Sequence, residues 1–112
     1  MKRKTYSCGL DAGLEVAGGK WKALILWHLL PCPRRFGELR RLVGNISEKM
    51  LIHTLRQMQA DGIVARKDFR EVPPRVVYSL TPFGASLTEA LRPLCVWGKK
   101  HMDRIAARAT RR

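Results

Sequence analysis

The run from Ile46 to Arg66 limits what this chain can fold into more than any other part of it. Ser47 stands where a helix N-cap belongs, and Leu51, Leu55 and Met58 follow at helical spacing. Gly62, directly after Asp61, ends that helix. Ile63 to Phe69 then reads as a strand. Arg70-Glu71-Val72-Pro73-Pro74 makes a stiff tip, and Arg75 to Leu80 forms a second strand in which Val76, Tyr78 and Leu80 alternate. A helix, a strand, a turn and a strand in this order form the second half of a winged helix-turn-helix.

The preceding residues supply the first half. Phe36, Leu39 and Leu42 repeat at spacing three within Arg35 to Leu42, as in a short helix with a basic outer face. Val43-Gly44-Asn45 makes the turn, because Gly44 and Asn45 both tolerate positive φ, and Ile46 packs inward. Further upstream, residues 8–17 place Leu10, Leu14 and Ala17 on one helical face. Gly18-Gly19 separates that helix from Lys20 to Leu30, which is apolar nearly all round and reads as a central core helix ended by Pro31-Cys32-Pro33. Thr81-Pro82 starts a last helix that runs to about Ala107, with Phe83, Leu87, Leu91, Leu94 and Trp97 along one side. Pro93 predicts a kink or a break in it, and Arg111-Arg112 should fray. The expected fold is α+β, mainly α: a winged helix-turn-helix with N- and C-terminal dimerisation helices, in a single domain over 1–112.

Charge narrows the class of partner. Lys and Arg number 22 against 9 acidic residues, a net charge of +13. The surplus is spread through the chain, at +7 in residues 1–56 and +6 in 57–112. A basic excess built into folded elements suits a nucleic-acid-binding domain better than a tethered arm. No apolar segment is long enough to span a membrane. Lys2, Arg3 and Lys4 are followed by Asp11 and Glu15 rather than by a continuous apolar run, so a cytoplasmic location is expected.

Other chemistries find little support. Cys8, Cys32 and Cys95 lie far apart with no CxxC pair, which indicates neither a disulfide framework nor a zinc finger. His28 with Cys32, and Cys95 with His101, are close in sequence but fall short of a ligand set, so neither a metal nor a cofactor is expected. No Ser/His/Asp order, carboxylate pair or glycine-rich phosphate loop points to an enzyme.

The helix at 47–61 is the candidate major-groove reader. Lys49, His53 and Arg56 would reach base edges, while Ser47 and the helix N-terminus meet phosphate. Arg34, Arg35, Arg40 and Arg41 fit phosphate clamping, as do Arg70 and Arg75 in the wing. Arg75 has a second reading as an anchor of the hairpin. Leu10, Leu14, Leu87, Leu91, Leu94 and Trp97 are either intrachain core or a dimer interface. A dimer would set two recognition helices on successive major-groove turns, roughly 34 Å apart. Cys8 lies beside Lys2, Arg3 and Lys4 and near a helix N-terminus. Both would lower a thiol pKa and favour the thiolate; the alternative is an inert cysteine.

Together these residues resemble the HxlR family of bacterial winged-helix regulators, related to MarR-type proteins. The likeness rests on Cys8, Gly18-Gly19-Lys20-Trp21-Lys22 with Ile25-Leu26, Arg35 to Arg40, and Ile46 to Leu51. It continues through Leu55, Asp61-Gly62, Val72 to Thr81, Gly84, Leu87, Trp97-Gly98 and His101. The chain departs from the family pattern at Pro93, inside a helix that is usually uninterrupted, and at Ile63, where Leu is usual. The resemblance implies a homodimer joined through its first and last helices and bound to an inverted-repeat operator in double-stranded DNA near a promoter. It further implies that the cysteine matching Cys8 senses electrophiles, aldehydes or oxidants in several members. The expected function is a sequence-specific transcriptional regulator, a repressor, that responds to an electrophile or small-molecule inducer through Cys8 or the dimer interface. The rival is a non-specific basic architectural protein, whose affinity would depend on salt but not on sequence.

Overall fold

A computed structural model describes residues 3–110 of the chain. The elements run α1 (Gly9–Ala17), α2 (Lys20–Leu29), β1 (Arg34–Arg35), α3 (Phe36–Val43), α4 (Glu48–Ala60), β2 (Val64–Asp68), β3 (Val76–Leu80), α5 (Pro82–Lys100) and α6 (Met102–Thr110). The three strands form one antiparallel sheet in the order β1-β3-β2.

The core gathers where α2, α3, α4 and the sheet meet. Ile25 and Leu26 from α2, Leu39 from α3, and Leu51, Leu55 and Met58 from α4 are buried together with Ile46, Ile63, Val64 and Tyr78. Truncating one of the large aliphatic side chains to Ala would cost about 2–5 kcal/mol, because the removed atoms leave a cavity. The α4 stripe and inward-packed Ile46 follow the sequence pattern. Thr54 joins the stripe despite its hydroxyl, since Oγ1 donates to the Met50 carbonyl at 2.7 Å.

Four sequence expectations need correction. Pro93 does not break its helix: α5 passes through it, and the interruption falls at His101 (φ −111°, ψ 15°), between α5 and α6. Arg34-Arg35 precedes α3 as a short third strand paired with Tyr78 and Val77. Leu42 is exposed rather than packed with Phe36 and Leu39. In the turn before α4, Gly44 alone takes positive φ (87°), so Asn45 does not share that role. The fraying expected of Arg111-Arg112 lies outside the described residues.

A tight junction fixes the sheet to the last helix. Thr81 Oγ1 donates to the Gly62 carbonyl at 2.6 Å and accepts from Gly84 N at 3.0 Å. Thr81 N donates to the Ile63 carbonyl at 3.2 Å. Gly84 is required here because a Cβ would run into the Ile63 backbone. One threonine thus caps α5, closes the end of α4 and leaves β2 and β3 in register.

Candidate nucleic-acid interface

The recognition-helix candidate α4 is set by its entry. Ser47 is extended (φ −70°, ψ 153°), and its hydroxyl accepts from Met50 N at 3.1 Å. That cap satisfies one of the free N–H groups of the first turn and contributes about 1 kcal/mol. Arg40 Nε, at the far end of α3, donates to the Ile46 carbonyl at 3.4 Å and ties the two helices across the turn. Glu38 accepts from Arg35 N at 3.1 Å at the start of α3.

Burial of Leu51, Thr54, Leu55 and Met58 turns the opposite face of α4 outward. Lys49, His53 and Arg56 are all exposed on it. With Glu48 and Ile52 they line a shallow depression along the helix. None of the three side chains is in a hydrogen bond or ion pair among the described residues. The structure therefore brings these predicted residues to one uncommitted surface.

The other predicted arginines divide by what they touch. Arg34 is part-buried, and its Nε donates to the His28 carbonyl at 3.0 Å near the end of α2. Its charge and the burial of the ring depress the His28 pKa, burial being the larger cause. Arg35, Arg40 and Arg41 are exposed along α3 and its entry. Arg70 is exposed in the wing at φ 53°, with its N–H bonded to Asp68 Oδ1 at 2.8 Å. Arg75 takes the second of its two readings as far as geometry goes. Its guanidinium carbon stands 3.6 Å from the Phe69 ring centroid, and Nη2 is 3.1 Å from Glu71 Oε1. Lys67 Nζ also lies over Phe69, at 4.7 Å. Two cations of the wing thus lie over one ring.

Arg66 is a residue that the sequence reading passed over. It pairs with Tyr78 in the β2–β3 ladder, so it shares a sheet face with Val64 and Leu80. It remains exposed and looks into a cleft between α4 and the wing together with Arg56. The signal was present: counting by two from Val64 sets Arg66 on the apolar face, where a charged residue is out of place.

Cys8 is the exposed N-cap of α1. Its thiol pKa is lowered by the Asp11 N–H, then the Leu10 N–H, then the Ser7 side chain. The direction is the expected one, but among the described residues its causes are these groups and not a basic side chain. Lys4 is paired with Glu15 at 2.7 Å, and Lys2 lies outside the described residues.

The terminal helices leave much apolar surface open. Leu10 (71% exposed), Leu14 (58%), Leu94 (63%) and Trp97 (56%) have little cover within the chain. Leu87 and Leu91 differ, being part-buried against the core of their own chain. Val96, Met102 and Ile105 add to the exposed set without having been singled out in the sequence.

Residues 16–106 match the model of the HxlR-like helix-turn-helix family. The chain belongs to that family. It is 50% identical over 95 residues to the HTH-type transcriptional regulator YkvN of Bacillus subtilis, covering 85% of this chain and 80% of the relative. The redox regulator HypR in its reduced form superposes with a TM-score of 0.82 at 38% identity, over 89% of this chain and 99% of that one. Its oxidised form gives 0.78 at 41% identity, over 83% and 96%. This HxlR-type chain is a helix-turn-helix transcriptional regulator and not an enzyme. No helix among its described residues is long and apolar enough to cross a membrane.

Proposed function

We propose that the protein is a homodimeric, sequence-specific repressor that binds an inverted-repeat operator in double-stranded DNA. The observation that carries this reading is the outer face of α4. A capped, rigid helix presents Lys49, His53 and Arg56 to solvent beside a stiffened wing, in a chain of net charge +13. Arg35, Arg40, Arg41 and Arg70 supply backbone contacts around it, while Arg34 and Arg75 chiefly hold the scaffold. The exposed apolar side chains of α1, α5 and α6 form the dimer contact, which sets the separation of the two recognition helices. Selection of bound duplexes from a random pool tests this. It should return a two-fold symmetric site with half-site centres about one helical turn apart. Recovery of unrelated sequences would favour an architectural protein instead.

Cys8 acts as the sensor in this reading, with an oxidant or electrophile as its inducer. Its exposure and lowered pKa at the α1 N-terminus support that role, as does the likeness to proteins named redox regulators. Modification of a thiol on α1 would bias the dimer toward a spacing with lower operator affinity. Cys8→Ser should retain DNA binding and lose the response to thiol reagents. A retained response would remove Cys8 from the mechanism.

A further inference from the structure

Glu48 is the acidic residue of α4. It opens the helix directly after the Ser47 cap and is exposed. It lines the shallow depression with Lys49, Ile52, His53 and Arg56. Glu15, Glu71 and Glu89 each hold a basic side chain. Glu48 holds none among the described residues, although Lys49 and Arg56 share its depression. A negative charge in a first turn does favour the helix dipole. That role does not explain an unpaired carboxylate on the surface offered to a polyanion.

We infer that Glu48 determines specificity at one position of the operator: its carboxylate accepts a hydrogen bond from the N4 amino group of a cytosine in each half-site. This deepens the proposed operator binding and rests on it. An ionised carboxylate can only accept hydrogen bonds. Phosphates repel it, and deoxyribose within a strand has no hydroxyl to donate. In the major groove guanine shows N7 and O6, and thymine O4, all acceptors. The donors there are the amino groups of cytosine and adenine. Adenine sets its N7 acceptor beside the amino group, whereas cytosine has a C–H at that place. Cytosine is therefore the base that a carboxylate meets without repulsion. Residues at the start of a recognition helix are the ones that reach base edges, which is where Glu48 stands. The net charge of +13 attracts any duplex. A duplex without the cytosine leaves the carboxylate unpaired, and that penalty separates the operator from other DNA.

Duplexes are selected from a random-sequence pool by the wild type, Glu48→Gln and Glu48→Ala, with thermal melting as a check on folding. The wild type should fix a cytosine at one position of each half-site. Glutamine pairs with N6 and N7 of adenine, so Glu48→Gln should move that position to adenine and keep the rest of the site. Glu48→Ala should leave the position open. Exchanging the cytosine for thymine in the selected duplex should weaken wild-type binding about tenfold, and Glu48→Ala binding by less than about twofold. Both variants should bind a random-sequence duplex more tightly than the wild type does. One and the same site selected by all three folded proteins would overturn the assignment and leave Glu48 to the helix dipole. So would a Glu48-dependent position that carries an A·T pair in the wild-type site. Recovery of unrelated sequences by the wild type would instead remove operator binding itself, and this inference with it.

Discussion

At the scale of single residues, Lys49, His53 and Arg56 have charge or polarity to offer because no hydrogen bond or ion pair among the described residues uses it, whereas Arg75 contacts Phe69 and Glu71. Arg75→Ala should therefore loosen the wing, and hydrogen exchange at Phe69 N, which donates to the Arg75 carbonyl, should quicken. An unchanged exchange rate would show that the ring contact does not hold the hairpin. Cys8 invites a pH test. Backbone N–H groups that favour the thiolate lower its pKa in the folded chain, so the thiolate fraction near neutrality exceeds that of the unfolded chain. Alkylation of Cys8 by iodoacetamide, followed by peptide mass, should persist to lower pH in native protein than in urea. Identical pH profiles would contradict the role given to the α1 N-terminus.

At the scale of elements, caps and close approaches carry the construction. Ser47→Ala should lower stability by about 1 kcal/mol, read from the denaturant midpoint. Gly84→Ala should lower it by about 1–3 kcal/mol, because the added methyl must displace the Ile63 backbone or tilt α5. A neutral Gly84→Ala would mean that the α5 junction is looser than described. These features were legible to different degrees in the sequence. Ser47, Gly62 and Thr81-Pro82 mark helix ends by local chemistry, and local chemistry survives folding. The strand at Arg34-Arg35 was not legible, because two residues have no period and their pairing with Tyr78 spans more than forty positions. Pro93 misled for a related reason. Proline removes one intrahelical hydrogen bond, and the rest of α5 carries the helix past that gap. Arg66 needed the register of β2 against β3 before its place in the cleft could be seen.

At the scale of the whole molecule, the exposed apolar set on α1, α5 and α6 is the main feature that a single chain leaves uncovered. Sequence reasoning found the stripe from its spacing but could not divide it. Only the fold shows that Leu87 and Leu91 face their own core while Leu94 and Trp97 face out. Trp97→Arg should therefore shift sedimentation from dimer to monomer, with a loss of operator affinity that exceeds its effect on melting temperature. A dimer that tolerates Trp97→Arg would place the interface elsewhere. In the proposed dimer, two copies of α4 read adjacent turns of one duplex. Footprinting of the reduced protein on DNA from upstream of its own gene tests this most directly. A discrete protected block spanning about two helical turns is expected, at salt concentrations where random DNA is released. Uniform, salt-sensitive protection with no discrete block would contradict it.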